Sequence, residues 1–242
     1  MPPVVLWDID GTLVRSKGGR VSVTAFLSAL REVGQIEGEL PYPKDAGGKT
    51  DEQIALEVLL AAQIGDDHAA EILARFGAIY CSELERQREL LVGDLRVLPG
   101  VEAVLQRLHA LGVTQSLLTG NLEPIARLKL ACAGLDRYVE FDLGAYGSDN
   151  RDRTCLVPVS RERMRQRSGS ELDVVVVGDT PRDIACARAG GARVVAVATG
   201  NYTRAELEAH YPDRVLDDLQ DTEAVVASLL RYSKSEEHAP IV

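Results

Sequence analysis

Cysteine is scarce in this chain of 242 residues, with four in all. Cys81, Cys132, Cys155 and Cys186 form no C-x-x-C pair and match no zinc spacing. A disulfide framework is therefore excluded, and the usage reads as cytoplasmic and reduced. Basic residues are not in excess. The 27 Lys and Arg stand against 37 Asp and Glu, a formal net charge of −10. Such a chain repels a polyphosphate backbone, so no nucleic acid is expected as a partner, although a small anion can still bind where a metal or local positive charge receives it. No apolar run approaches the ~20 residues that a membrane span needs, and no membrane partner is expected. The first eight residues carry no basic region, and Asp8 interrupts their apolar run, unlike a signal peptide. Internal repeats, low-complexity blocks and a G-x-G-x-x-G opening a helix are all missing, and the last absence argues against a dinucleotide fold. His68, His109, His210 and His238 are widely spaced and show no ligand pattern.

What is present is an ordinary globular composition, 45% hydrophobic and 26% charged. At about 150 residues per domain the length suggests one and a half domains. Short continuous apolar runs at 4–7, 113–118, 173–177 and 192–197, with a weaker one around Val139, Glu140 and Phe141, read as strands buried on both faces, the mark of a parallel sheet. Helical spacing at 101–108, 125–133 and 182–189 alternates with them, which predicts a doubly wound, Rossmann-like α/β core. Residues 16–95 differ. They hold no convincing strand, and 24–33, 52–62 and 69–91 read as helices. About 80 helical residues are too many for a crossover, so 16–95 is expected to be an inserted helical cap on a discontinuous core of 1–15 and 96–242. A last short strand is expected before Asp217 and Asp218, and a mobile tail over 233–242.

Three motifs fall at the carboxyl ends of predicted strands, where an open α/β sheet places its ligand crevice. Asp8-Ile9-Asp10-Gly11-Thr12 follows the first run, with Gly11 available for a sharp reversal. Thr119-Gly120-Asn121 follows the second, a hydroxyl and backbone N–H groups that can cradle an anion. Gly178-Asp179-Thr180-Pro181-Arg182-Asp183 follows the Val-rich run and again sets carboxylates at a strand end; the alternative for Asp183 is a plain helix N-cap. Four carboxylates, Asp8, Asp10, Asp179 and Asp183, crowded into one crevice repel each other unless a cation neutralises them. An oxygen-only donor set without His or Cys favours Mg²⁺.

In motif order and spacing, from Val4 to about Gly200, the chain resembles the haloacid dehalogenase-like hydrolase superfamily, in its phosphoglycolate phosphatase-like branch. That resemblance implies a Mg²⁺-dependent phosphatase acting on a small phosphorylated metabolite. Asp8 would be the nucleophile that forms an aspartyl-phosphate. Asp10 would be general acid and then base, and its backbone carbonyl a metal ligand. Thr119, the Gly120 amide and Asn121 would hold phosphoryl oxygens. Asp179 would bind Mg²⁺ directly, and Asp183 directly or through water. The family's usual Lys-Pro cation is absent here. Arg153 is the first candidate for its role and Lys129 the alternative, and Arg offers a fixed fork where Lys offers a point charge.

Gly47-Gly48-Lys49-Thr50 has the tail of a P-loop, but Pro43 stands where the first glycine belongs, and no strand precedes it. A Gly-rich turn in a cap is expected to face the site instead, with Lys49 and Thr50 toward substrate; Arg15 and Arg20 are similar candidates. Cap linkers are expected near 15–19 and 93–99. A phosphosugar mutase is the enzyme alternative, since it shares Asp8, Asp10 and the cap. A phospho-Asp switch module is the non-enzyme alternative, but it would end near ~120 residues and carry its acceptor after the third strand. A monomer or homodimer is expected.

Overall fold

The structure, a computed structural model, describes residues 2–18 and 20–230. The tail expected over 233–242 lies outside the described residues. Seven strands alternate with ten helices among those described. The strands are β1 (Val4–Trp7), β2 (Val14–Ser16), β3 (Leu95–Val97), β4 (Gln115–Leu117), β5 (Val174–Gly178), β6 (Arg193–Val197) and β7 (Arg214–Leu216). The helices are α1 (Val21–Gly34), α2 (Asp51–Ala61), α3 (Asp66–Arg86), α4 (Arg88–Asp94), α5 (Val101–Ala110), α6 (Glu123–Ala133), α7 (Leu156–Ser168), α8 (Pro181–Ala189), α9 (Arg204–Glu208) and α10 (Thr222–Leu230).

Five strands form one parallel sheet in the order β4-β1-β5-β6-β7. Every residue of β1 and β5 is buried, as continuous Val and Leu runs require when helices cover both faces. Successive side chains alternate between the faces. Val5, Trp7, Val175 and Val177 join an apolar cluster with α5, α6 and α10. Val4, Leu6, Val174 and Val176 join a second cluster with α7 and α8. Trp7, the one tryptophan of the chain, is fully buried, and its indole N–H donates to Gln115 Oε1 at 3.2 Å.

Helices α1–α4 occupy the inserted stretch, as the helical spacing predicts, and their apolar faces merge into the first cluster. Where the chain leaves the sheet and returns, β2 and β3 pair antiparallel, with Arg15 opposite Arg96. The two linkers are thus a short ribbon. Ser16 Oγ bonds Asp94 Oδ2 across it at 2.8 Å.

Two expectations need correction. The segment around Val139, Glu140 and Phe141 is not a strand. Short 3₁₀ turns at Asp136–Tyr138 and Phe141–Leu143 enclose it, and it touches the sheet through the Glu140 N–H on Gln115 O and the Ser116 hydroxyl on Glu140 O. Val139 and Glu140, the two residues left between the turns, are too few for a ladder. The single helix expected over 69–91 is two, α3 and α4, parted at Gln87, where the chain leaves the helical region. Helix α7 escaped the sequence reading because its Arg-rich face hides the apolar periodicity of Leu156, Val157 and Met164.

Candidate active site

The sheet brings the three motifs to one edge. β1 ends on Trp7, and the next residue, Asp8, is buried. β5 ends on Gly178 and delivers Asp179; β4 ends on Leu117 and delivers Thr119. Asp183 comes one turn into α8. The N-cap reading is corrected: Thr180 is the N-cap, and Asp183, at the third helical position, is its reciprocal partner in a capping box. Its Oδ2 accepts from Thr180, while Oδ1 accepts from Arg153.

Asp8, Asp179 and Asp183 each offer an oxygen within 4.8 Å of the others, and all three are buried. Burial, with the repulsion of Asp183 and Asp10, lifts the Asp8 carboxyl to about 7 although Arg153 opposes the rise. Burial, Asp8 and Asp183 lift Asp179 to about 8. Its hydrogen-bond donor is the neutral hydroxyl of Thr12, at 3.0 Å. Glycine closes the shell around these acids. A side chain on Gly11, Gly178 or Gly200 would run into the carboxylates of Asp179 or Asp183, and Gly11 also sits at φ +94°. A compact set of buried oxygen donors with too little positive charge fits a hard dication.

Both cation candidates are here, and they serve different acids. Arg153 is buried; its Nη2 donates to Asp8 Oδ1 at 2.9 Å and to Asp183, while Nη1 donates to Gly48 O at 3.0 Å. Among the described residues its Nε is the one side-chain polar atom that is shut off from solvent and has no partner. Lys129 is buried, and its Nζ donates to Asp10 Oδ2 at 2.6 Å and to Asn121 Oδ1 at 2.8 Å. Asn121 Nδ2 completes the set with 2.8 Å to Asp10 Oδ2 and 2.9 Å to Thr119 Oγ1. Burial would raise the Asp10 carboxyl, but Lys129 and Asn121 carry it below its ordinary value. Asp10 thus stands apart from the carboxylate triad by its side chain, which is half open to the cavity.

A cavity of about 260 Å³ opens over this edge, lined by Asp8, Asp10, Thr119, Lys129 and Arg153 below and by the inserted helices above. The turn at 47–51 grips the core. Asp51 N–H donates to Gly120 O at 2.8 Å, and Leu122 N–H returns a bond to Asp51 Oδ2 at 2.9 Å. Arg182 reaches Gly47 O at 2.8 Å. Gly120 has no alternative in this packing, since a Cβ there would meet the Lys49 carbonyl.

The remaining candidates are redistributed. Lys49 lines the cavity, but its ammonium is held by Asp45 at 2.8 Å and Glu57 at 2.7 Å rather than left for substrate. Thr50 does not face substrate: its hydroxyl donates to Arg151 O at 2.7 Å and caps α2 by accepting from Gln53 N–H. Arg15 turns away to Thr199 O and Asn201 Oδ1, whereas Arg20 lines the cavity. The sequence reading missed Asp51, Tyr42 and Tyr80, which also line it. Tyr80 follows Phe76 at helical spacing and reads as plain core; Asp51 reads as a first-turn acid.

A parallel sheet with an acid triad at its carboxyl edge, roofed by a helical insertion after the first strand, defines a hydrolase of the doubly wound class. The family model of the haloacid dehalogenase-like hydrolases matches residues 2–191, and the chain belongs to that family. The chain is 28% identical over 240 residues to the probable phosphatase IndB of Dickeya dadantii, covering 97% of this chain and 98% of that protein. It is 29% identical over 223 residues to the phosphoglycolate phosphatase of Rhodospirillum rubrum, covering 90% and 88%. A crystal structure of a hydrolase from Pseudomonas syringae shares the fold, with a TM-score of 0.66 at 19% identity over 94% of this chain and 99% of that one. No helix among the described residues is long and apolar enough to cross a membrane.

Proposed function

We propose that the chain hydrolyses the phosphate monoester of a small metabolite through an aspartyl-phosphate on Asp8, with Mg²⁺ held by Asp8, Asp179, Asp183 and the Asp10 backbone carbonyl. Family membership and relatives named as phosphatases support a phosphoric monoester hydrolase. The observation that carries the finer reading is the separation of two acids by their partners. Asp8 sits beside Asp179 and Asp183 under a single guanidinium, and Asp10 sits on Lys129.

The bound Mg²⁺ would supply charge neutralisation among the carboxylates and on the phosphoryl oxygens. Arg153 holds Asp8 in one orientation for attack. An Asp8 oxygen attacks phosphorus while the ester P–O bond breaks, and the leaving oxygen takes a proton from Asp10. A water then attacks phosphorus, its proton passes to Asp10, the bond to Asp8 breaks, and phosphate leaves. Lys129 keeps the Asp10 carboxylate ionised in the substrate-free site, which suits the second half. The approach of a dianionic ester raises the affinity of Asp10 for the proton that the first half needs.

Release of p-nitrophenol from p-nitrophenyl phosphate, with Mg²⁺ and with EDTA, tests the reading. Activity that requires Mg²⁺ and is lost in a folded Asp8→Asn variant is the expected result. Unchanged turnover in that variant overturns it. Phosphoryl transfer to a sugar hydroxyl without release of inorganic phosphate assigns a mutase instead.

A further inference from the structure

The far wall of the cavity is built by the helical insertion, and several of its polar groups have nothing to bond inside the protein. Tyr80 on α3 is only 2% exposed and lines the cavity, yet its phenol has no hydrogen-bond partner among the described residues. The phenol of Tyr42 lines the same wall, also without a partner. Their rings are locked. Phe26 meets Tyr42 edge-on at 5.7 Å and Tyr80 at 5.3 Å, and Phe76 stacks on Tyr80 at 5.4 Å. Asp51 joins them from α2. Its Oδ2 is taken by the Leu122 N–H, and Oδ1 has no protein partner.

Two fixed donors and one fixed acceptor, all without protein partners, match alcohol groups, each of which both accepts and donates. We infer that Tyr80, Tyr42 and Asp51 select a hydroxylated leaving group, so that the substrate is the phosphate monoester of a polyol or sugar. The inference rests on the hydrolase reading above and names its substrate class. Substrate hydroxyl oxygens accept from the two phenols, and a substrate O–H donates to Asp51 Oδ1. Burial and the nearby Asp51 charge keep both phenols protonated, hence donors. A second acidic group on the substrate fits this wall poorly. The ammonium of Lys49 is neutralised by Asp45 and Glu57, and that of Lys129 by Asp10. Arg20 lines the cavity as well, together with the acids Asp51 and Asp94.

The test uses the whole chain with Mg²⁺ and measures kcat/KM for phosphate release. Polyol phosphates are paired with alkyl phosphates of equal carbon count: glycerol 1-phosphate with propyl phosphate, and sorbitol 6-phosphate with hexyl phosphate. At least one polyol ester is expected to exceed its alkyl counterpart by about tenfold or more, because a site built for hydroxyls leaves buried polar groups unpaired when they are missing. Tyr80→Phe is expected to lower that ratio about fivefold or more. Asp51→Asn keeps an acceptor for Leu122 N–H and is expected to lower the same ratio, with thermal melting confirming that both variants fold. Ratios near one in both pairs, a ratio unmoved in both variants, or faster turnover of 2-phosphoglycolate than of either polyol phosphate overturns the inference. If p-nitrophenyl phosphate is also left intact, the hydrolase reading itself has failed; if it is hydrolysed, only the substrate class has.

Discussion

Arg153 does with one side chain what a lysine cannot. Its fork reaches Asp8 and Asp183 through one nitrogen and the Gly48 carbonyl of the inserted turn through the other. Arg153→Lys keeps the charge but not the fork, and kcat on an aryl phosphate is expected to fall about tenfold. Arg153→Met leaves Asp8 without its cation, and the expected fall is about 10²- to 10³-fold. Equal rates for the two variants would show that the charge is irrelevant. The motif acids were legible in the sequence because each lies within three residues of a strand end or in the first turn of a helix, where backbone geometry largely fixes its place. The choice between Arg153 and Lys129 was not legible, because spacing does not reveal that each cation has its own acid. Asp51, Tyr42 and Tyr80 were invisible for a related reason: they meet the site only once the inserted helices dock on the sheet.

At the scale of elements, the turn before α2 carries the docking. Thr50 caps the helix and also bonds Arg151 O, so two functions fall on one hydroxyl. Thr50→Val is expected to lower stability by about 1–2 kcal/mol in urea denaturation, the range for a lost cap plus a buried hydrogen bond. A midpoint unchanged from the native chain would place that hydroxyl outside the docking. Strands β1 and β5 were legible as continuous apolar runs. The segment at 139–141 misled because an apolar pair flanking one acid resembles a strand whether or not a neighbour offers a ladder. The Gln87 break in the long helix was hidden too, since no Pro or Gly marks it.

For the molecule as a whole, the sheet order β4-β1-β5 makes remote segments converge, and it gathers negative charge that the fold alone does not balance. Asp8 and Asp179 are raised to about 7 and 8, and burial raises Asp51 to about 6. The metal-free folded chain therefore holds protons that the unfolded chain has released above about pH 4, and its stability declines as pH rises through these values. Asp10, held low, acts in the opposite sense only at more acidic pH. In EDTA the thermal midpoint is expected to be about 5 °C or more lower at pH 8 than at pH 5, and Mg²⁺ at pH 8 is expected to restore it. A midpoint that is flat across this range in EDTA, or indifferent to Mg²⁺, would contradict the charge balance drawn here.

Trp7 lies fully buried on β1, one residue before Asp8, with its indole tied to Gln115 on the neighbouring strand. Because the chain has a single tryptophan, emission excited at wavelengths that its seven tyrosines do not absorb comes from one chromophore beside the nucleophile. Changes in the charge on that carboxylate can therefore be followed as a shift in intrinsic fluorescence, without any attached dye.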